Sequence, residues 1–154
     1  MKKLGLKFLL AAGLLFSSAQ AATLVDATDP EQIVNIASGF GSAVLEKDSA
    51  GDPKIVGRTD SIRYSIYFYG CQNNKNCRDI QFSAGWSGYN VSLSDINRWN
   101  TKKRYGRAYL DSDNDPRVEM TINLYKGVTY RNLEDSFDTW QKVLEQFSEE
   151  VLND

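Results

Sequence analysis

The chain has 154 residues, 42% hydrophobic and 25% charged, with 18 basic against 20 acidic side chains and no histidine. That length suits one folded domain with its own core, and the acidic excess disfavours nucleic acid and anionic membrane surfaces, which are bound chiefly through clustered Lys and Arg. The missing histidine removes the commonest general base, the Ser-His dyad and the usual zinc sites together.

The first element is a leader. Met1-Lys2-Lys3 supplies positive charge, Leu4 to Phe16 is almost wholly apolar, and Ser17-Ser18-Ala19-Gln20-Ala21 closes with small residues, the pattern of a secretory signal peptide cleaved after Ala21. The apolar run is shorter than the roughly 20 residues of a membrane-spanning helix. Removing these 21 of 154 residues leaves 133, and three lysines go with them, so 15 basic side chains face 20 acidic ones at a net charge of −5. No later stretch is apolar for long enough to span a bilayer, and no cysteine stands directly after the cleavage point, so a lipid-anchored form is not expected. The expectation is a soluble periplasmic or secreted protein, with no stable membrane insertion after cleavage and with residues 22–154 forming a single domain.

Asp29-Pro30-Glu31-Gln32 starts a helix: Asp29 caps it, Pro30 suits the first turn and Gln32 completes a capping box. Ile33, Ile36, Ala37 and Phe40 follow at helical spacing, and Gly39 and Gly41 end it. Ser42 to Lys47 reads as a short strand, Ser49 to Pro53 as a turn and Lys54 to Arg58 as a weaker strand. From Ile62 to Tyr69 the period is two, with Ile62, Tyr64, Ile66 and Phe68 alternating with Arg63, Ser65, Tyr67 and Tyr69. Ile80, Phe82, Ala84 and Trp86 alternate likewise with Gln81, Ser83 and Gly85, so these two runs form a hairpin.

Ser92 and Asp95 open a second helix, in which Leu93, Ile96 and Trp99 mark one face and which ends near Lys103. A second strand pair follows, Arg107 to Asp111 and Val118 to Leu124, joined by a polar loop. The last element has the clearest amphipathic pattern. Leu133, Phe137, Trp140, Leu144, Phe147 and Val151 recur at steps of three and four, opposite Glu134, Asp135, Asp138, Lys142 and Glu145. The whole reads as α+β, an antiparallel sheet with helices packed on one face.

Chemistry is sparse. Cys71 and Cys77 are the only cysteines, five polar residues apart, and in an oxidising compartment they read as a disulfide clamping the hairpin. So short a loop contributes only about 2 kcal/mol by chain-entropy reasoning. A redox pair is disfavoured because such pairs are usually spaced C-x-x-C. Asp111-Ser112-Asp113-Asn114-Asp115 is similar to the first half of a calcium loop, but Pro116 stands where the sharp bend needs glycine and Ile122 where the bidentate glutamate belongs. It reads as a turn. No metal site or cofactor is implied. Arg98, Lys102, Lys103, Arg104 and Arg107 form a positive patch, of which Lys102 and Lys103 suit a helix C-terminus without any ligand.

Alternation sets Arg63, Tyr67, Tyr69, Gln81, Arg107, Tyr109, Thr121 and Tyr125 away from the helix-covered side. These are the candidate binding face, since Tyr and Arg are enriched at interaction hot spots, although Tyr and Thr also suit any solvated strand. The expected partner is another protein or a second copy of the chain.

Phe68-Tyr69-Gly70-Cys71, Cys77, Ile80-Gln81-Phe82-Ser83-Ala84-Gly85-Trp86, Asp95-Ile96-Asn97-Arg98-Trp99-Asn100, Arg104-Tyr105-Gly106-Arg107-Ala108 and Gly127-Val128-Thr129 resemble, in order, the YbjN domain family over about residues 29 to 150. The resemblance implies a fold similar to type III secretion chaperones, which are small α+β proteins that bind other proteins, often as dimers, and a sensory or regulatory role. It carries no catalytic residues. The leading expectation is therefore a non-enzymatic periplasmic binding or chaperone-like module. A carboxylate-dependent hydrolase of cell-envelope polymers would instead need two carboxyl groups about 5–9 Å apart in a cleft. A small-ligand sensor subunit would need an enclosed, aromatic-lined pocket.

Overall fold

Strict alternation from Ile62 to Tyr69 lets a strand turn Tyr64, Ile66 and Phe68 into a core and Arg63, Ser65, Tyr67 and Tyr69 to the other side. The computed structural model describes residues 23–153 and repeats this division across a six-stranded antiparallel sheet. The predicted leader and its cleavage point lie outside the described residues.

In chain order the elements are β1 (Leu24–Val25), α1 (Pro30–Ser38), β2 (Ser42–Lys47), β3 (Pro53–Thr59), β4 (Ile62–Tyr69), β5 (Asp79–Gly85), α2 (Leu93–Lys102), β6 (Arg107–Leu110), β7 (Pro116–Asn123), β8 (Val128–Thr129) and α3 (Tyr130–Phe147), the last running into a π-helical turn at Ser148–Leu152. The main sheet has the order β2-β3-β4-β5-β7-β6, so every neighbour in space except the β5·β7 pair is also a neighbour in sequence. Helix α2 is the excursion that separates β5 from β6. The fold is α+β, with helices against one side of the sheet.

The α1 and α2 starts follow their sequence signals. Asp29 accepts from the Gln32 N–H, and Ser92 and Asp95 form a full capping box. The Ser92 hydroxyl and N–H hold the Asp95 carboxyl below its ordinary range, with Arg98 adding to the effect. Caps of this kind are worth about 1 kcal/mol, whereas each large apolar side chain buried on α3 contributes roughly 1.5–3 kcal/mol. Docking is therefore set by burial and the caps decide where helices begin. Leu133, Phe137, Trp140, Val143, Leu144 and Phe147 of α3 are all buried.

Their rings organise the core into two clusters. Phe137 stacks on Phe40 at 5.3 Å and meets Phe82 edge-on at 4.9 Å, while Trp140 reaches Phe82 and Tyr64. Phe147 sits between Trp86 at 5.2 Å and Trp99 at 5.0 Å. Strand β5 ends at Gly85. Trp86, just past that end, still donates its N–H to Pro116 O at 3.1 Å, and its ring lies on the core side, as the alternation predicts. Leu93 departs from expectation: Ile96 and Trp99 are buried, but Leu93, in the first turn of α2, is 73% exposed.

The hairpin connections are tight. Asn73 and Asn74, both at positive φ, form the tip of the loop that the Cys71–Cys77 disulfide closes, with Gln72 and Lys75 paired across it. This loop does more than clamp β4 to β5. The Asn74 side-chain amide donates to Ala50 O at 3.0 Å and Asp52 Oδ1 at 2.8 Å, tying it to the β2–β3 turn. The short β1–β8 pairing, absent from the sequence reading, fixes the start of the described chain and buries Val25 and Ala27.

Candidate functional site

Because the helices occupy one side of the sheet, the other side is a continuous polar surface, and strand register decides what meets on it. Seven of the eight predicted residues lie there: Arg63, Tyr67 and Tyr69 on β4, Gln81 on β5, Arg107 and Tyr109 on β6, and Thr121 on β7. Tyr125 lies past the end of β7 in the turn before β8, exposed and stacked beneath Arg78 at 4.2 Å.

Three of the seven, Arg107, Tyr109 and Gln81, bond a residue absent from the prediction, Glu119, and Tyr69 and Thr121 join them through Gln81. Register sets Glu119 directly opposite Arg107 on β6 and Ser83 on β5. Its side chain is only 12% exposed, and Oε2 accepts from Arg107 Nη2 at 2.7 Å and from Gln81 Nε2 at 3.2 Å, while Oε1 accepts from the Tyr109 hydroxyl at 2.7 Å. Gln81 Nε2 also donates to Thr121 Oγ1 at 3.2 Å, and Gln81 Oε1 accepts from the Tyr69 hydroxyl at 3.1 Å.

Burial, the hydrogen bond to Glu119 and its negative charge push the Tyr109 hydroxyl up to about 12; burial and the same charge raise Tyr69. Both tyrosines therefore stay protonated as donors. The hydrogen bond to Glu119 and its charge likewise raise Arg107. This half of the surface is a closed network whose donors and acceptors already have partners. An alternating strand with one glutamate opposite an arginine was the available signal, but it needs the β6–β7 register to be read.

The other half differs. Arg58 on β3 stands directly opposite Arg63 on β4, Ser65 opposite Ser83, and Gly85 opposite Arg117. Between them lies a groove of about 210 Å³ lined by Arg63, Tyr64, Ser65, Tyr67, Ser83, Ala84, Gly85 and Arg117. Gly85 makes it possible. A Cβ there would come within 2.7 Å of Arg117 Cδ, so the bare backbone lets the arginine cross the strand. Arg117 Nε donates to Asp111 Oδ2 at 2.8 Å, and Arg58 Nη1 donates to Ser61 O at 2.7 Å. Among the described residues no hydrogen bond or ion pair holds Arg63.

The remaining features have structural work. Asp111 Oδ1 accepts from the N–H groups of Asp113 and Asp115, both at 3.0 Å, so its carboxylate organises the β6–β7 turn and anchors Arg117. Burial pulls the Asp111 carboxyl up, but the Arg117 bond and the two backbone N–H groups outweigh it and hold the group below its usual range.

The positive patch separates into local pairs. Arg98 meets Asp95, Lys103 meets Glu150 and Gln146, and Arg107 meets Glu119. Asn100 of the α2 motif has a specific role: its amide donates to Ala108 O at 3.0 Å and accepts from Ala108 N–H at 2.9 Å, closing the free edge of β6 as another strand would. Asn97 is exposed, and its backbone carbonyl accepts from the Thr101 hydroxyl at 3.0 Å.

A larger cleft of about 510 Å³ lies on the opposite side, between the β3–β4 turn and α3. Asp60, Asp138, Lys142, Glu145 and Glu149 line it and no aromatic residue does, which is not the lining a small-ligand sensor needs. We place the candidate site on the sheet surface instead, where Arg63, without a partner among the described residues, lines a groove with Arg117.

What fold and surface define is a small α+β module presenting an open sheet face of hydrogen-bonding side chains. The chain belongs to the YbjN family, described as "Putative bacterial sensory transduction regulator", whose sequence profile matches residues 29–153. That description is of a regulator and not of an enzyme. No curated protein matches the chain.

Proposed function

We propose that the protein is a non-enzymatic recognition module of the periplasm that binds another protein through the open face of its sheet. The observation that carries this reading is the face itself: six strands wide, with none of the described helices packed on it, and rich in Tyr and Arg, the residue types that dominate interaction hot spots. The signal-like leader and the disulfide support a site of action outside the cytosol, and the regulatory description of the family supports binding as the activity.

The test is site-specific photocrosslinking in intact cells. A benzophenone side chain replacing Tyr67, in the middle of the face, is compared with one replacing Asp138, exposed on α3. The expected result is a discrete protein adduct from position 67 and none from position 138. Adducts only from position 138, or from neither, would overturn the reading.

A further inference from the structure

We propose that the groove between β4 and β5 binds a single oxyanion group, a carboxylate or a phosphate, with Arg63 as its principal ligand and Arg117, Ser65 and Ser83 completing the cradle. The proposal rests on the reading of the open face as the binding surface and gives that surface a chemistry.

Four observations carry it. Arg58 and Arg63 are direct cross-strand neighbours, an arrangement of like charges that costs stability and that a solvated sheet has no reason to keep. Second, none of the groove's lining residues is acidic, although the protein as a whole has more acidic than basic side chains. The Arg63 guanidinium has no partner among the described residues, whereas Arg107, at the other end of the same surface, is tied to Glu119. Finally, Ser65 and Ser83 are cross-strand partners that both line the groove, half-buried and with no side-chain hydrogen bond among the described residues.

Size decides what fits. At about 210 Å³ the groove is smaller than the roughly 300–1,000 Å³ that encloses a whole small-molecule ligand, so it suits one charged group projecting from something larger or one free tetrahedral anion. Guanidinium forks match both carboxylate and phosphate by paired N–H bonds. The bond to Asp111 engages Arg117 through Nε, and Arg117 lines the groove.

The experiment is calorimetric titration and thermal melting of the protein with inorganic phosphate, with sodium sulfate and with a short glutamate-rich peptide, at ionic strength matched by chloride. The variants are Arg63→Ala, Arg63→Lys and, as a control, Arg78→Ala at the far corner. The proposal expects saturable binding of one equivalent, weakened at least tenfold by Arg63→Ala, partly restored by Arg63→Lys and unchanged by Arg78→Ala. Binding of the peptide alone assigns a carboxylate, and binding of phosphate or sulfate assigns a tetrahedral anion; either supports the site.

Melting shifts of equal size in wild type and Arg63→Ala would reveal only the general stabilisation that such salts give any protein and would overturn the proposal, as would no binding at all. Crosslinking from position 67 that persists without oxyanion binding would leave the protein-binding reading standing and remove this one alone.

Discussion

The two halves of the open sheet face are made of the same residue types and do opposite things. Around Glu119, on β4 to β7, Arg107 and the Tyr109 hydroxyl donate to the carboxylate, the Tyr69 hydroxyl donates to Gln81, and Gln81 donates to Glu119 and Thr121, so these side chains share one arrangement. Around Gly85, Arg63 of β4 and Arg117 of β7 line a groove beside Arg58 of β3, and the Asp111 carboxylate that holds Arg117 is also committed to a turn. The difference teaches that exposure and residue type do not mark a binding site by themselves. A polar group whose hydrogen bonds are satisfied inside the protein has little to offer a partner, whereas one left unsatisfied beside like charge has much.

The largest effect that would break this contrast is at Glu119. Its removal strands Arg107, Tyr109 and Gln81, so Glu119→Ala is expected to lower stability by about 2–3 kcal/mol in denaturant melts. A neutral outcome would mean the network is as idle as any wet surface. Asn100→Ala comes next. It opens the edge of β6, the strand that carries Arg107 and Tyr109, and should cost about 1–2 kcal/mol while speeding exchange of the Ala108 amide.

A smaller effect is read from pH. Tyr109 has an ordinary value of 10.0 and a folded value of about 12, so its proton is held more tightly in the folded chain. Its support for the fold is complete below pH 10 and is lost as the pH climbs from 10 towards 12. Tyr109→Phe should flatten the decline in melting temperature over that window; an unchanged slope would remove Tyr109 from the network. Smallest of all is Arg63→Ala, expected to change stability by less than about 0.5 kcal/mol because nothing within the fold depends on it. A large loss there would show Arg63 to be structural and would erase the difference between the two halves.

The sequence made the covered side of the sheet far easier to read than the open one. Periods of 2 and 3.6 identify Ile66, Phe82 and Phe137 as core without any knowledge of register, because burial needs only the side to which a residue points. The open face needs more. Glu119 becomes the centre of a network only when β6 and β7 align it with Arg107, and the groove exists only because Gly85 falls opposite Arg117. Helix interiors disfavour Asn mildly, which sets Asn97 and Asn100 apart in α2, yet residue type alone cannot say that Asn100 meets Ala108 across the turn. Trp86 continues the alternation of β5 one residue past the strand's end, and its ring stacks on Phe147 on the covered side. The two-residue β1 strand is too short to carry a period at all.

The most direct test of the contrast is an amide chemical-shift map of the protein titrated with phosphate and, separately, with the glutamate-rich peptide. The account predicts saturable shifts at Arg63, Ser65, Ser83 and Gly85 for at least one of the two, with Arg107, Tyr109 and Glu119 unmoved. Shifts centred on Glu119, or small linear changes spread over the whole surface, would contradict it.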